Sequence, residues 1–278
     1  MTAEAPASPA ANRWADLRPR MMSAAALLVI GAVEVWLGGW PFLVFIMALV
    51  GAMIWELARL SRQDGSKRAY GLALMAALLL FVDEGWPNWP GYWLVPIVPL
   101  IFLASELGGP RWLMAKTCAL IALAIMTVGH GMFELRQTEG ALAILWVLGV
   151  VVVSDVAGYF VGRTVGGPKF WPAVSPKKTW SGTIAGWIGA ALLGYGFFAA
   201  GYGGAALIAV SPMIAFAGQM GDIAESWLKR RAGVKDSSRL IPGHGGVMDR
   251  FDALVGAMLA VMALQFLAPN LIRLSVGG

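Results

Sequence analysis

A run from Ser226 to Asp252 holds the residue types best able to do chemistry in this chain. It contains several cations, namely Lys229, Arg230, Arg231, Lys235, Arg239 and Arg250, and three carboxylates, Asp236, Asp249 and Asp252. Cations around a His-Gly-Gly turn suit phosphate, and interleaved carboxylates suit a divalent metal that also holds phosphate. The run therefore predicts an active site for a phosphorylated substrate.

Carboxylates also stand at both borders of this run. Asp222 lies at the end of a hydrophobic span and Asp249 at the start of the next, so the two could share one Mg²⁺, which usually takes one or two protein carboxylates. Gly245 and Gly246 could bring backbone N–H groups close to a phosphate, and His244 could donate to it. The alternative, a solvated positive loop, explains the cations but not the aspartates and the glycine pair.

A second constellation lies at the cytoplasmic end of the sixth hydrophobic span, where Asp155 precedes Arg163. Eight residues separate the two, or about 12 Å along a helix. A carboxylate at that depth costs about 2.5–3.5 kcal/mol unless it is paired or faces water. Gly158 and Gly162 form a small-residue face for close helix packing. Asp155 either binds substrate or merely pairs with a neighbouring helix.

A third constellation is the stretch Ser175–Thr179, which contains Lys177 and Lys178. Its proline predicts an extended or turn conformation, and Thr179 or Ser181 could cap the helix that follows. Free N–H groups at that helix start, together with the lysines, predict an anion site. A basic anchor for acidic lipid explains the same residues equally well.

The elements that must position these residues are transmembrane helices. The chain is 58% hydrophobic and 13% charged, far from the roughly 45–50% apolar share of soluble domains. Spans of about 20 apolar residues can cross a bilayer. Shorter spans are possible where Gly and Pro interrupt them, which gives nine candidates, near 21–38, 41–58, 69–85, 93–105, 113–130, 141–162, 182–200, 204–221 and 252–271. The span at 93–105 is short and holds Pro96 and Pro99, which predicts a kinked or partly re-entrant segment. We predict an all-α, polytopic transmembrane protein.

The positions of Lys and Arg predict its orientation. With nine spans and a cytoplasmic N-terminus, 19 of the 21 Lys and Arg residues lie on the inner side, which leaves Arg136 and Arg273 outside. The active site is then cytoplasmic, in the cell inner membrane. This bias explains the net charge of +5 without nucleic acid as a partner. The lone Cys118 excludes an intrachain disulfide.

Three regions follow from this layout. Residues 1–20 are predicted as a disordered cytoplasmic tail, 21–140 as N-terminal transmembrane helices and 141–278 as the catalytic region. The catalytic region includes cytoplasmic loops at 163–181 and 222–251. No internal repeat is clear enough to indicate an inverted-repeat transporter.

The motifs resemble the signature of phosphatidate cytidylyltransferases, also called CDP-diacylglycerol synthases. The matching residues are Ser226, Lys229-Arg230, Lys235-Asp236, Ser238, Ile241-Pro242, His244-Gly245-Gly246-Val247 and Asp249-Arg250-Phe251-Asp252. The resemblance extends upstream to the Asp155 and Ser175–Thr179 constellations and covers the C-terminal half closely. In the first half it is carried by the hydrophobic layout, by Arg18-Pro19-Arg20 and by Trp55-Glu56 at the end of the second span.

The resemblance implies transfer of a cytidylyl group from CTP to phosphatidate in phospholipid biosynthesis, by a homodimeric, Mg²⁺-dependent enzyme in contact with membrane lipid. A second, monovalent cation is left open. Asp222 and Asp249 match the metal-binding aspartates. The catalytic positions are matched by Ser226, Lys229, Lys235, Asp236 and Arg250. Substrate binding is expected of Asp155, Ser175, Lys177, Lys178, Thr179, Arg230, His244, Gly245 and Gly246. Ser181 departs from the family, which usually has Glu there.

Two other functions fit parts of the same pattern. A CTP-dependent polyprenol kinase, or another enzyme that uses CTP in the membrane, would need a similar phosphate site. An anionic-lipid transporter would need a cluster of cations at its cytoplasmic opening. It would also need charged residues near the bilayer midplane, where this chain has few apart from Glu34. Transfer of the cytidylyl group from labelled CTP to lipid separates the three.

Overall fold

The protein is built almost entirely from helices. A computed structural model describes residues 26–27, 29–62, 67–85, 92–105, 107–241, 243, 245–269 and 271–274; the predicted tail and His244 lie outside them. Nine helices occur in this part of the chain. They are α1 (29–37), α2 (Gly39–Arg62), α3 (Lys67–Gly85), α4 (Ile97–Ala104), α5 (Trp112–Thr138), α6 (Ala141–Thr164), α7 (Trp180–Ala199), α8 (Ala206–Arg231) and α9 (Met248–Leu267).

Six of these helices are long and apolar enough to cross a membrane: α2, α5, α6, α7, α8 and α9. The chain is therefore an integral membrane protein, as predicted. The predicted span at 93–105 contains only the short helix α4, of 8 residues, which rises about 12 Å and cannot cross a bilayer of about 30 Å. The prolines at 96 and 99 explain the short length, because Pro96 lies at its N-cap.

Two helix boundaries differ from the hydrophobic spans in a way that matters for the site. Helix α8 continues past Gly221 to Arg231, and α9 begins at Met248 rather than at 252. Hydropathy ends where the charged residues begin, but Ala, Glu, Leu, Lys and Arg are good helix formers and sustain the helix. Much of the predicted loop 222–251 is therefore helical, with 232–247 as the connection.

A small hairpin interrupts the helices between α6 and α7. Strands β1 (Lys169–Trp171) and β2 (Ser175–Thr179) pair antiparallel, with Lys169 opposite Thr179. The predicted extended conformation of Ser175–Thr179 is thus confirmed, although the partner strand was not predicted. Phe170 packs edge-on against Trp180 at a ring distance of 4.7 Å, which fixes the hairpin at the start of α7.

The helices run up and down, so their ends gather in two groups. At one end, which we call the site end, α2, α6 and α8 finish and α7 and α9 begin. At the other, the far end, α3 and α5 finish and α2 begins. Trp40, at the start of α2, packs on Phe81 near the end of α3 at a ring distance of 5.8 Å. The apolar core, which includes Cys118, lies between these ends.

Candidate active site

Close helix packing positions the first part of the site. Gly158 and Gly162 on α6 lie against Gly182 on α7, where a Cβ on Gly182 would stand 2.5 Å from the Gly158 carbonyl oxygen. The same Cβ would be 3.2 Å from Gly162 Cα. The predicted small-residue face is confirmed, and it brings the end of α6 directly onto the start of α7.

Thr179 and Ser181 fix the start of α7. The Thr179 hydroxyl accepts a hydrogen bond from the Gly182 N–H at 3.2 Å, which confirms the predicted N-cap. The Ser181 hydroxyl donates to the Gly166 carbonyl and lies 3.1 Å from the Thr179 hydroxyl. Ser181, where the resembled family usually has Glu, therefore joins the loop after α6 to the cap of α7.

A cavity of about 550 Å³ opens beside this junction. Its size is within the usual range of about 300–1,000 Å³ for ligand pockets. Asp155, Lys178 and Asp222 line it together, and Lys178 forms an ion pair with Asp222. The cavity wall also includes Lys177 and Thr179. Two predicted constellations, 155–163 and 175–179, thus meet Asp222 in one place.

Helices α8 and α9 approach closely beside this cavity. A Cβ on Gly256 would stand 2.2 Å from the Ala217 carbonyl oxygen, and one on Gly221 would stand 2.4 Å from that of Asp252. The approach gathers Asp222, Glu225 and Asp252, whose carboxylate oxygens lie within 4.8 Å of one another. We call these three residues the acidic cluster.

Asp249 lies beside the acidic cluster, in a hydrogen-bond network that joins Lys229 to the loop before α9. Its Oδ1 accepts from Lys229 Nζ at 2.5 Å, and Lys229 also pairs with Glu225. Its Oδ2 accepts from the Ser237 N–H and hydroxyl, each at 2.9 Å, and from the Gly246 N–H at 2.7 Å. Lys229 thus bridges the acidic cluster and the loop before α9.

Glu56, on α2, holds the same loop from the other side. Although fully buried, this carboxylate accepts from the Ser237 and Ser238 hydroxyls at 3.0 and 2.6 Å. It also accepts from the backbone N–H groups of Val247 and Met248 at 2.8 and 2.7 Å. Four donors therefore converge on one carboxylate, which places its negative charge at the N-terminus of α9.

The glycine pair makes room for these carboxylates. A Cβ on Gly246 would lie 2.0 Å from Ser237 Oγ and 2.4 Å from Glu56 Oε1. Gly245 has a φ of 84°, and a Cβ there would lie 2.7 Å from Asp249 Oδ2. The Gly246 N–H already donates to Asp249, so the described geometry uses both glycines for tight packing around Glu56 and Asp249.

A second, basic cavity of about 620 Å³ lies next to this loop. It contains three cations, one of them from α2, together with Asp236 and two serines. The lining residues are Arg59, Val234, Lys235, Asp236, Ser237, Ser238 and Arg239. The site predicted around Lys235 and Asp236 therefore opens to solvent beside the Glu56 network.

A profile of the cytidylyltransferase family matches residues 18–268, which is most of the chain. The chain belongs to the cytidylyltransferase family. A relative from Brucella suis, named phosphatidate cytidylyltransferase, is 34% identical over 265 residues, covering 92% of this chain and 96% of its own. A Pseudomonas aeruginosa protein of the same name is 31% identical over 268 residues, 91% and 98% of the two chains. One from Helicobacter pylori is 40% identical over 144 residues, about half of each chain.

In this cytidylyltransferase, the residues predicted from the sequence line the two cavities or lie on the elements beside them. Asp155, Lys177, Lys178, Thr179 and Asp222 line the first cavity, and Lys235 and Asp236 line the second. Ser226 donates to Asp222 Oδ1 at 3.4 Å, one turn further along α8. Ser175 begins β2. Arg230 is exposed near the end of α8, and Arg250 is exposed near the start of α9.

Three carboxylates of the site had no catalytic, binding or metal role assigned to them from the sequence, although Asp252 was noted in the charged run and Glu56 in the Trp-Glu pair. Glu225 and Asp252 belong to the acidic cluster, and Glu56 holds the loop. Glu225 is spaced three residues from Asp222, which places both on one face of a helix, and that spacing was a usable signal. For Glu56 the only sequence signal was its position in the Trp-Glu pair that ends the second span.

The acidic cluster has the chemistry of a divalent-cation site. Its donors are carboxylate oxygens, which hard cations prefer. Glu225 is buried, and no described hydrogen-bond donor reaches its Oε1. Buried carboxylates are costly unless cations are near, and Lys178 and Lys229 pair with only two of the three acids, with Lys229 shared with Asp249, so the cluster fits a further cation.

Proposed function

We propose that this cytidylyltransferase transfers the cytidylyl group of CTP to phosphatidate, giving CDP-diacylglycerol and pyrophosphate. The observation that carries the proposal is the meeting of the acidic cluster with a lysine-lined cavity, in a chain that matches the family from 18 to 268. The named relatives have the same substrate in their names and nearly the same length. A membrane-embedded substrate also suits a site at the end of transmembrane helices.

The site must position the two substrates and neutralise the negative charge of their phosphates. A phosphate monoester is already an anionic nucleophile, so its oxygen attacks the α-phosphorus of CTP without a strong general base. The bond from that phosphorus to the bridging oxygen breaks, and pyrophosphate leaves. Two polyanions must approach each other, which makes preorganised cations the main requirement.

The acidic cluster would hold Mg²⁺, with Asp222 shared between the cation and the cavity. The ion would supply neutralisation of triphosphate charge. Asp249, predicted as a ligand, lies beside the cluster and orients Lys229 and the Gly246 N–H. Asp249 would bind a cation directly once Lys229 has moved away from its Oδ1. A second, monovalent cation would have Asp155 as a further oxygen donor.

The basic residues divide between the two cavities. In the first, Lys177 and Lys178 bind phosphate, with the Ser175–Thr179 strand as their support. Lys178 can transfer from Asp222 to a phosphate, which frees that carboxylate as the polyanion arrives. In the second, Lys235, Arg59 and Arg239 bind the other phosphate. Arg230 and Arg250 are proposed as further cations for the substrates. Gly245 and Gly246 lie in the loop before α9, and His244 is proposed as a further substrate-binding residue.

We propose that this site faces the cytoplasm from the inner membrane. The Lys and Arg distribution supports a cytoplasmic N-terminus and nine membrane segments, of which the fourth would contain the short α4 and pass from the far end to the site end. The catalytic region would be 141–278, with Glu56 and Arg59 added from the N-terminal helices. A homodimer in contact with membrane lipid is the expected assembly.

The deciding experiment uses purified full-length protein in nonionic detergent with phosphatidate and CTP labelled either in the cytosine or at the γ-phosphate. Cytosine label moving into lipid, with release of labelled pyrophosphate, is the expected result. Transfer of the γ-label to lipid would instead establish a kinase. Translocation of lipid in vesicles without any turnover of CTP would establish a transporter.

A further inference from the structure

A second group of metal-capable side chains lies at the far end of the bundle. Asp83 and Glu84 end α3, and His130 faces them from α5, with ligand atoms within 4.8 Å of one another. We call these three residues the histidine cluster. Gly85 contacts Trp40 at the start of α2, whereas Glu56 of the active site lies 16 residues further along that helix, about 24 Å away. The two clusters are therefore separate.

The histidine cluster is buried and its polar atoms face one another. Side-chain exposure is 2% for Asp83, 12% for Glu84 and 8% for His130. His130 Nδ1 lies 3.0 Å from Asp83 Oδ2 and 2.5 Å from Glu84 Oε1. Asp83 Oδ1, Glu84 Oε1 and His130 Nδ1 lack a hydrogen-bond partner among the described residues, whereas Asp83 Oδ2 accepts from the Tyr92 N–H at 3.3 Å.

The described ion pairs of Asp83 and Glu84 are with His130, whereas lysines pair with the carboxylates of the active site. The neighbouring Glu134 lies with its Oε2 at 4.0 Å from His130 Nε2 and accepts from the Tyr92 hydroxyl at 2.6 Å. Burial, followed by the hydrogen bond to Glu134, raises the pKa of Tyr92, so this phenol remains a donor. Two buried carboxylates thus converge on one imidazole with a third acid close by, and a bound cation would compensate their charge.

We propose that Asp83, Glu84 and His130 bind one divalent transition-metal ion, with Zn²⁺ as the best match. Imidazole nitrogen favours Zn²⁺ over Mg²⁺ and Ca²⁺, and carboxylate oxygens are accepted by Zn²⁺ at about 2.0–2.2 Å. Ligand atoms around a tetrahedral ion then stand roughly 3.3 Å apart, close to the observed 3.0 Å between His130 and Asp83. This metal site takes no part in the proposed cytidylyl transfer, and its ligands join α3 to α5.

The test is direct metal binding by the full-length protein, purified in nonionic detergent with a tag that lacks histidine. The background is the double variant Asp222→Asn/Asp252→Asn, which disables the acidic cluster. We expect it to bind one Zn²⁺ per chain, by titration and by metal analysis after dialysis. Co²⁺ in place of Zn²⁺ should give visible absorption bands typical of bound imidazole and carboxylate.

Adding His130→Gln or Asp83→Asn to this background should weaken Zn²⁺ binding on the order of 100-fold and abolish the Co²⁺ bands. Glu139→Gln, the same acid-to-amide change at the far end, should leave both unchanged. The proposal is overturned if the background protein binds no Zn²⁺ or gives no Co²⁺ bands. It is also overturned if a folded His130→Gln or Asp83→Asn variant binds Zn²⁺ as tightly as its parent. The measurements on the background protein decide the matter even where a variant does not fold.

Discussion

The acidic cluster and the histidine cluster of this protein differ in the charged side chains that surround them. At the site end, Lys178 pairs with Asp222 and Lys229 pairs with Glu225 and Asp249. At the far end, Asp83 and Glu84 face the imidazole of His130. A lysine can exchange a carboxylate for a phosphate, so the first arrangement suits a substrate that comes and goes. An imidazole with two carboxylates suits an ion that stays.

The largest effect that would test this contrast is the loss of Asp222. Asp222→Asn removes a charge from the acidic cluster and the partner of Lys178, so turnover should fall on the order of 100-fold or more. Transfer of cytosine-labelled CTP to phosphatidate measures it. Glu139→Gln, which makes the same change at the far end, should keep activity within about twofold. Equal losses in both variants would show that the two ends do not differ in this way.

Glu56→Gln should have the next largest effect. The amide nitrogen cannot accept a hydrogen bond, so part of the set of Ser237, Ser238, Val247 and Met248 donors loses its acceptor. We expect a loss of about 1–3 kcal/mol in unfolding free energy and a lower kcat. Denaturant unfolding in detergent and turnover of CTP measure the two. Wild-type values for both would remove Glu56 from its supporting role.

Gly182→Ala tests whether the site depends on the contact between α6 and α7. The new Cβ would lie 2.5 Å from the Gly158 carbonyl oxygen and force the helices apart, at a cost of about 1–3 kcal/mol in stability. Gly196→Ala on the same helix is the control, because nothing lies within 4 Å of its Cβ. The control should be neutral or stabilising by up to about 1 kcal/mol. Equal thermal stability in the two variants would contradict the close packing.

Tyr92→Phe, at the far end, should have the smallest effect. It removes the hydrogen bond to Glu134, worth about 0.5–1.5 kcal/mol. Since the pKa of Tyr92 is raised on folding, its contribution is complete below the unfolded value of about 10 and declines as the pH rises through the folded value. Unfolding at pH 7 measures the loss, with Tyr195→Phe, at an exposed tyrosine, as the control. An effect as large as that of Glu56→Gln would contradict the ranking.

The sequence was sufficient to predict features that depend on local spacing. Membrane helices, the Gly158/Gly162 face and the Thr179 cap each follow from residues a few positions apart, and all three are confirmed. The family followed from motif spacing in the C-terminal half and is confirmed by the match over 18–268. These are the features for which short-range geometry decides the structure.

Features that depend on distant partners were not predictable in the same way. Glu56 meets Ser237 across 181 positions of sequence, and no local pattern indicates such a contact. The length of α8 and the grouping of Asp252 with Asp222 depend on helix packing at Gly221 and Gly256. The histidine cluster combines α3 with α5 and was not anticipated for the same reason.

The buried carboxylate of Glu56 has a consequence for how the chain can be divided. A fragment that contains only 141–278 would carry the whole acidic cluster, Lys178 and Lys229, yet its loop before α9 would lose the acceptor of the Ser238 hydroxyl and of two N–H groups. Co-expression with a separate fragment ending after Arg62 would return that acceptor. Helix α2 thus completes the hydrogen bonding of the loop before α9, although 181 positions of sequence separate Glu56 from Ser237.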